Sequence, residues 1–428
     1  MTLILDRINQ PHRLEIQKIE VPEAQKYTLD NGILVYSINA GFQDLVKVEL
    51  LFQNPTFDPK FPLNNSATNR MMAEGTSKFT AQQIADMIDY YGSFYETDEN
   101  SDFCSVILYS LNKYLKQTLP YVSELMYDPI FPEKELGIYK QNNKQRLIVD
   151  NEKVMSVARR KFGEIIFGKQ HPYGFYVEPE DYDKIFSKDL VEFHKAKYDP
   201  SNCIIIVSGM VTDETIKLLN ENFGKKASSR SKIITINPPF DSYKEKKNYI
   251  EKEGAIQSAI RIGKPFFNRR HPDYAGAAVM NTVFGGYFGS RLMSNIREDK
   301  GYTYGIGSVV VSMMNEGYFF ISTEVGANVT ENALKEIYFE IDEMRNELVD
   351  EEELEMVRNY MLGTFLKGID GAFSLAERWK SIYLSGLDYS YYERYVNKIR
   401  TIGAEEVLEL SRKYLNPADF YELVVGRK

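Results

Sequence analysis

The chain has 428 residues with 43% hydrophobic and 26% charged side chains, the composition of an ordinary globular protein of about two to four domains. Its formal net charge of −9 argues against binding to a nucleic-acid backbone as the main function, because such binding depends on clustered lysine and arginine. No apolar run approaches the roughly 18 residues of a membrane span, and the N-terminus lacks the apolar core of a signal peptide. We therefore expect a cytoplasmic protein, or a periplasmic one if a leader has been removed, that binds neither nucleic acid nor membrane.

The first half of the chain is predicted to alternate strands with amphipathic helices, after an irregular, charged arm that ends near residue 24. Its first two strands form a hairpin around Asn31-Gly32, a dipeptide that favours a tight turn. Residues 54–69 are rich in Pro, Asn and Asp and are predicted to form a loop. The remaining elements are strands at 46–52, 103–109 and 203–209 and helices at 80–91, 113–127 and 132–149.

The stretch at 285–308 predicts a turn, a short helix and a strand in close succession. Ser290 is a suitable N-cap for this helix, and Gly301 is a suitable end because helices commonly stop at a residue with positive φ. Arg297 and Tyr304 then flank the corner between helix and strand, where a guanidinium and a phenol can both donate hydrogen bonds to one carbonyl or oxyanion. The alternative is an exposed helical arginine and a tyrosine that only packs.

A polar segment at 225–254 divides the chain near its midpoint and is predicted to be a linker. The parts on either side share three similar segments in the same order, which indicates an internal repeat. The matching pairs are 80–92 with 291–301, 126–136 with 344–354, and 198–209 with 414–426. The predicted fold is α+β, with two homologous modules at 1–224 and 255–428, each a mainly antiparallel sheet with helices packed on one side.

Four segments of the chain carry a resemblance to a known family. They are LDNGILVYSI (29–38), HPYG (171–174), SGMVTDETIKLLNENFG (208–224) and SRLMSNIREDKGYTYGIGS (290–308). These segments resemble the pitrilysin or insulinase class of zinc metallopeptidases, in its small branch with the mitochondrial processing peptidases. The resemblance covers nearly the whole chain, and its last segment is the most specific.

The catalytic signature of that family is missing from the sequence. It is an inverted zinc motif, H-x-x-E-H, on a helix just before a Gly-Thr pair. Here the pair is Gly75-Thr76, so the three functional positions fall on Ser66, Asn69 and Arg70. A hydroxyl, an amide and a guanidinium replace two imidazoles and a general base, and the guanidinium of Arg70 would repel Zn²⁺.

No replacement metal site is predicted elsewhere in the sequence. The resemblance puts the third ligand, a glutamate, near Gln145 or Arg146, where neither residue is acidic. The histidines are not paired at helical spacing, and both cysteines lie in apolar strand-like runs as free thiols. These residues are His12, His171, His194 and His271, with Cys104 and Cys203. Because a zinc site needs about three converging protein ligands, we expect no metal and no other cofactor in this chain.

The resemblance implies two hypotheses for function, and neither makes the isolated chain an enzyme. In the first, the chain is the non-catalytic subunit of a heterodimer that cleaves unfolded peptides at the zinc of a homologous partner. Arg297 and Tyr304 would support catalysis there, and Tyr302 would share in substrate binding. In the second, the chain is a catalytically silent peptide-binding or scaffold protein, as the core subunits of the related respiratory complex show that the fold can persist without chemistry.

Overall fold

The structure is a computed structural model that describes residues 19, 21–53, 58, 60–227 and 239–427. Most of the predicted N-terminal arm therefore lies outside the described residues, as do residues 54–57 and 59 of the predicted loop and 228–238 of the predicted linker. Within the described part of the chain, no helix is both long enough and apolar enough to cross a membrane.

The first half builds a six-stranded sheet in the order β1-β2-β6-β3-β5-β4. Strands β2 and β6 are parallel, and every other neighbouring pair is antiparallel. The strands are β1 (Gln25–Thr28), β2 (Leu34–Asn39), β3 (Leu45–Gln53), β4 (Phe94–Glu99), β5 (Phe103–Leu111) and β6 (Cys203–Gly209). The predicted hairpin is confirmed as β1 and β2, and Gly32 supplies the positive φ of 91° that its turn requires.

The second half builds a separate five-stranded sheet in the order β7-β11-β8-β10-β9. Its strands are β7 (Lys247–Glu251), β8 (Gln257–Phe266), β9 (Thr303–Ser312), β10 (Gly317–Gly326) and β11 (Tyr421–Gly426). The edge pair β7 and β11 is parallel, as β2 and β6 are in the first sheet. If β1 is left out, the first sheet has the order β2-β6-β3-β5-β4 and the second the order β7-β11-β8-β10-β9. In both sheets the first strand of the chain lies at one edge, next to the last strand, and the third strand lies at the other edge. This agreement confirms a mainly antiparallel α+β module that is present twice.

Thirteen α-helices surround the two sheets in the described part of the chain. In the first half they are α1 (Asn64–Met71), α2 (Ala81–Tyr90), α3 (Asn112–Tyr127), α4 (Glu133–Asp150), α5 (Val154–Phe167), α6 (Ser187–Lys197) and α7 (Asp213–Phe223). In the second half they are α8 (Tyr274–Asn281), α9 (Thr330–Asn346), α10 (Glu351–Lys367), α11 (Ala372–Leu384), α12 (Ser390–Thr401) and α13 (Ala404–Tyr414). The predicted helices at 80–91, 113–127 and 132–149 are confirmed as α2, α3 and α4.

Helix α1 corrects the predicted loop at 54–69, because the chain is already helical from Asn64. The segment NNSATNRM has no strong amphipathic period and no capping hydrogen bond. Burial of Ala67, Thr68 and Met71 against the first sheet and its neighbours stabilises the helix instead. Tertiary contacts of this kind commonly override weak local propensity.

One helix from each half covers the sheet of the other half. Helix α5 buries Ala158 and Phe162 against Leu423 and other apolar residues of the second sheet. Helix α11 buries Trp379, with Leu375 and Ala376, against the back of the first sheet around Ile206. The other helices of each module thus pack on one face of its sheet, as predicted. The opposite face of each sheet is covered by a helix from the other half, α11 on the first sheet and α5 on the second.

The predicted boundaries at 1–224, 225–254 and 255–428 stay a prediction. Strand β7 lies inside the range that was predicted to be a linker and pairs with β11 in the second sheet. The exchange of α5 and α11 also means that each half contributes a helix to the core of the other.

Candidate functional site

Helix α1 carries the positions that the resemblance gives to the missing zinc motif, and all three side chains bond within the fold. The amide nitrogen of Asn69 donates to the backbone oxygens of Asp98 at 2.9 Å and Ser105 at 3.3 Å. Its amide oxygen accepts a hydrogen bond from the Tyr198 hydroxyl at 3.1 Å, and the side chain is completely buried. The Ser66 hydroxyl donates to the backbone oxygen of Leu63 at 3.3 Å. Asn69 therefore has a structural role in place of the family's general base.

The third position, Arg70, forms an ion pair with Glu99 on β4. The guanidinium Nη2 lies 3.4 Å from a carboxylate oxygen of Glu99, and the Arg70 side chain is 52% exposed. Burial raises the pKa of Glu99, and the neighbouring Arg70 acts in the opposite direction. Since the guanidinium of Arg70 is paired with Glu99 and cannot ligate a metal, this position offers no ligand to Zn²⁺.

Helix α4 contains Gln145 and Arg146, the positions near which the resemblance puts the third zinc ligand. Arg146 and Arg70 both act on Tyr182, where burial raises the pKa of the phenol and the two positive charges oppose that rise. The Tyr139 ring lies 6.3 Å from that of Tyr182 between centroids. Burial raises the pKa of the Tyr139 phenol, and Ser66 and Arg70 oppose that rise. The fold thus brings the expected positions together, but it fills them with phenols and guanidinium groups. No cluster of three or more metal-ligating side chains occurs among the described residues.

Purified protein should therefore contain no stoichiometric zinc, and Arg70→His should not create a tight site, because one imidazole cannot replace a set of about three ligands. Elemental analysis after mild chelation measures this directly. A variant with Ser66→His, Arg70→His and Arg146→Glu supplies three ligand types and should bind zinc more tightly than Arg70→His. One zinc per unmodified chain after chelation would contradict the prediction.

The second candidate region is the corner at 285–308, which differs from the regular helix that was predicted. Residues Met293–Asp299 form a π-helical turn, a winding that often occurs at functional positions. Arg291 anchors the turn to α10 with two hydrogen bonds to Glu353, at 3.1 and 2.9 Å. The predicted capping by Ser290 is wrong, because its hydroxyl is buried and has no hydrogen-bond partner among the described residues.

Arg297 lies on this π-helical turn and has an unused hydrogen-bond donor. Its guanidinium carbon is 4.4 Å from the centre of the Phe288 ring, a cation–π contact that fixes the plane of the group. Its Nη1 atom is buried and has no hydrogen-bond partner among the described residues. A buried donor without an acceptor is costly in a folded protein, so this nitrogen is suited to bind an acceptor from outside.

Tyr304 lies just after the corner and points into solvent. Gly301, at a φ of 66°, ends the turn as predicted, and the amide of Tyr302 donates to the backbone oxygen of Ile296 at 3.0 Å. Between Thr303 and Ile306, β9 has one residue more than the facing part of β10. Such a bulge re-aims a side chain, and the Tyr304 side chain is 96% exposed as a result.

The three predicted residues do not share one environment. Tyr302 is half-buried and packs against the apolar core of the second half, whereas Tyr304 is free of it. Arg297 is fixed by its ring contact, and the backbone bond from Tyr302 to Ile296 ties the π-helical turn to the start of β9. The corner therefore presents an exposed phenol and a guanidinium whose Nη1 atom has no hydrogen-bond partner in the described part of the chain.

Sequence reasoning missed an aromatic patch next to Arg297, made of Tyr287, Phe288, Met356 and Tyr360. Phe288 is 61% exposed, and Met356 and Tyr360 on α10 are also exposed. Tyr287 links the two parts, with its ring 5.1 Å from that of Tyr360 and its hydroxyl 3.9 Å from the Met356 sulfur. The sequence GGYFGS could have revealed this patch. It places two adjacent aromatic residues in a glycine-rich turn, where both rings cannot be buried at once.

Comparison with known proteins finds similarity to zinc proteases and to their inactive homologues. Residues 184–361 match a family model described as the peptidase M16 inactive domain. The chain is 22% identical to "Non-peptidase homolog YmxG" of Helicobacter pylori, over 84% of this chain and 83% of that protein. It is 24% identical to "Probable inactive metalloprotease YmfF" of Bacillus subtilis, over 69% and 74%. It is also 22% identical to "Uncharacterized zinc protease YmxG" of Bacillus subtilis, over 91% and 95%.

Solved structures share the fold. The peptidase M16 inactive domain from Pseudomonas fluorescens has a TM-score of 0.81 at 21% identity, covering 95% of this chain and 98% of that one. A protease from Helicobacter pylori has a TM-score of 0.84 at 16% identity, covering 94% and 99%. A chain of Complex III2 from Candida albicans has a TM-score of 0.75 at 14% identity, covering 94% and 95%.

Fold, family match and lost zinc motif together define a class of protein. The chain is similar to homologues of the M16, or pitrilysin-type, zinc metallopeptidases, and its residues 184–361 match the inactive domain of that family. Two of these relatives are named as non-peptidase or inactive homologues. With Ser66, Asn69 and Arg70 at its motif positions, this chain is a non-catalytic protein of the same kind.

Proposed function

We propose that this chain is the non-catalytic subunit of a two-component zinc metallopeptidase. Its corner at 285–308 would complete the active site of a homologous subunit that carries the zinc, and unfolded peptides would be the substrates. The observation that carries the proposal is the contrast between the two candidate regions. At the zinc-motif positions Asn69 and Arg70 bond within the fold, whereas Arg297 and Tyr304 present unused donors.

Arg297 is assigned to the binding of a peptide carbonyl or carboxylate. The cation–π contact with Phe288 holds the guanidinium plane in place before a ligand arrives, and Nη1 still lacks an acceptor. Preorganisation of this kind reduces the entropy lost on binding. The aromatic patch beside it, with exposed Phe288 and Tyr360, offers apolar surface for the side chains of an unfolded peptide.

Tyr304 is assigned to the stabilisation of the oxyanion that develops at the partner's zinc. A donor for this purpose must be in place within about 3 Å of the future oxyanion and must need no reorganisation. The bulge in β9 and the glycine at 301 fix the backbone on both sides of Tyr304, and the phenol is exposed. Tyr302, half-buried beside it, would form part of the substrate-binding wall.

The second candidate is a peptide-binding or scaffold protein with no part in catalysis. The similarity in fold to a chain of Complex III2 from Candida albicans favours it, because that chain is part of a larger assembly. A scaffold, however, gains nothing from a buried guanidinium nitrogen without an acceptor or from a bulge that exposes one phenol. The two candidates differ in whether Arg297 and Tyr304 affect turnover.

The chain alone should show no peptidase activity, and it should give activity when mixed with a homologous subunit from the same genome that keeps H-x-x-E-H. The measurement is cleavage of an unfolded, fluorogenic peptide by each subunit alone and by the mixture, with complex formation followed by size-exclusion chromatography. Zinc is expected in the partner only. If the zinc-bearing subunit is equally active with and without this chain, the subunit proposal fails and the scaffold candidate gains.

Arg297→Ala should raise KM of the reconstituted pair by about tenfold or more and change kcat little, since a hydrogen bond from a charged donor contributes about 1.5–3 kcal/mol to ground-state binding. Peptide cleavage at varied substrate concentration separates the two constants. Arg412→Ala, on α13 and bonded to the backbone oxygen of Arg345, is a control with the same change of charge. An unchanged KM for Arg297→Ala would remove its assigned role.

A further inference from the structure

The second half of the protein contains a cavity of about 520 Å³ that the proposed peptidase role does not use. It lies between the segment from β8 to α8, the start of α8, and α12. Arginines, tyrosines and one histidine dominate its lining, and none of the lining residues in the described part of the chain is acidic. A volume of this size is typical of small-molecule sites.

Three arginines bring positive charge to the cavity. Arg269 donates to the hydroxyls of Ser312 and Ser381, and Arg270 donates to the backbone oxygen of Met314. Arg394 donates to the Ser390 hydroxyl at 2.6 Å. All of these acceptors are neutral, so the contacts orient the guanidinium groups. The Ser390 hydroxyl in turn donates to Asp388, whose carboxylate offsets part of the charge of Arg394, whereas Arg269 and Arg270 contact neutral groups only in these bonds. The fourth cation, Lys398, differs because Glu406 neutralises it at 2.9 Å.

Three phenols line the same cavity and have free hydroxyls. Tyr274, Tyr391 and Tyr395 have no hydrogen-bond partner for their hydroxyls among the described residues. Burial raises the pKa of Tyr395 to about 12, so its phenol remains a proton donor at neutral pH. The rings supply flat apolar surface as well as donors.

His271 also lines the cavity. Its Nδ1 accepts a hydrogen bond from the backbone amide of Asp273 at 3.1 Å, so a neutral ring carries its proton on Nε2. The ring is stacked on Phe267 with 4.0 Å between centroids, which fixes its orientation. The cavity thus combines several hydrogen-bond donors and positive charge with aromatic walls.

We propose that this cavity binds a small aromatic anion, a planar ring that carries a carboxylate or a phosphate group. The anionic oxygens would accept hydrogen bonds from the guanidinium groups of Arg269 and Arg394 and from the phenols, since charge-assisted bonds of this type are the strong ones. The ring would lie against Tyr391 and Tyr395. This inference is independent of the subunit role, because it involves neither Arg297 nor Tyr304.

The test is isothermal titration calorimetry of the intact chain with four probes: phenyl phosphate, benzoate, inorganic phosphate and benzyl alcohol. We expect phenyl phosphate or benzoate to bind with one-to-one stoichiometry. The better of the two should bind more tightly than inorganic phosphate, which has no aromatic ring, and than benzyl alcohol, which has no negative charge. Phenyl phosphate ahead of benzoate assigns the site to phosphates, and the reverse order assigns it to carboxylates. Affinity should fall as salt is added.

Variants locate the binding. Arg394→Gln should weaken binding of the better probe by about tenfold or more, because the bond that it removes is charge-assisted. Arg394 is exposed, so the substitution leaves the core intact. Arg400→Gln makes the same change on the same helix outside the cavity and should alter binding less than twofold. Tyr395→Phe removes a hydroxyl only and should weaken binding several-fold.

Three outcomes would overturn the proposal. They are no binding of either aromatic anion at millimolar concentration, equal binding of benzyl alcohol and the better anion, and equal effects of Arg394→Gln and Arg400→Gln. Peptidase activity of the reconstituted pair is a separate readout, so failure here leaves the subunit role untouched.

Discussion

Tyr304→Phe should lower kcat of the reconstituted peptidase by about 10²- to 10³-fold, the usual effect of removing one oxyanion donor. The substitution keeps the ring and most of the volume and removes a single hydroxyl. Because the side chain is 96% exposed and lies within the bulge of β9, removal of its hydroxyl should not change stability or backbone geometry. KM should change much less than kcat, since the bond is made mainly in the transition state.

Tyr90→Phe is the matched control for this prediction. Tyr90 is an exposed tyrosine on α2 in the first half of the chain, and it belongs neither to the corner nor to the aromatic patch. Its loss of a hydroxyl should change kcat less than twofold. If Tyr304→Phe gives full turnover in a complex that is intact by size-exclusion chromatography, the donor role is wrong and the scaffold function becomes the better explanation.

The second large effect is expected at a charge network that joins the two halves. Lys47 and Glu49 on β3 meet Glu377 and Lys380 on the exchanged helix α11. Lys380 binds Glu49 at 2.9 Å, and Lys47 binds Glu377 at 2.6 Å. Two further contacts close the network, Lys47 with Glu49 at 3.1 Å and Lys380 with Glu377 at 2.7 Å. The two positive and two negative charges balance.

The network is partly removed from water. The Glu49 side chain is only 1% exposed. Burial opposes the charge of Lys47, but Glu49 and Glu377 together raise the pKa of the Lys47 amine above its ordinary range. Burial likewise opposes ionisation of Glu377, yet Lys380 and Lys47 lower the pKa of its carboxyl. The stabilisation from Glu377 is thus present at neutral pH and is lost as the pH falls through that lowered pKa.

Lys380→Met should lower the free energy of unfolding by about 3 kcal/mol, because removal of one partner leaves a buried carboxylate under-compensated. The chain has one tryptophan, Trp379, and it lies on α11 with its ring 4.2 Å from that of Tyr36 on β2. Its fluorescence therefore reports the docking of α11 on the first sheet during unfolding in denaturant. The midpoint of that transition should move to lower denaturant concentration.

Lys217→Met is the control for the network. Lys217 pairs with Glu214 at 3.5 Å on α7, and both side chains are largely exposed. An exposed pair contributes about 1 kcal/mol or less, so this variant should unfold almost as the unmodified chain does. Equal losses for the two variants would mean that the buried network does not hold the halves together.

The sequence alone determined the repeat, the loss of the zinc motif and the position of the candidate corner. Each depends on residue identity at fixed spacing, which folding does not change. Asn69 and Arg70 cannot serve as a general base and a zinc ligand in any conformation, and Gly301 favours the positive φ that ends the turn. Strands such as β6 were also predictable, because continuous apolar runs indicate burial on both faces.

Only the tertiary structure decided what each buried face packs against. Periodicity shows that α5 and α11 have an apolar side, but it cannot show that each covers the sheet of the other half. The helical state of α1 and the π-helical winding at Met293–Asp299 depend on contacts with distant segments, which local propensity does not contain. The exposed phenol of Tyr304 likewise results from the pairing of β9 with β10, where one extra residue in β9 turns that side chain out to solvent.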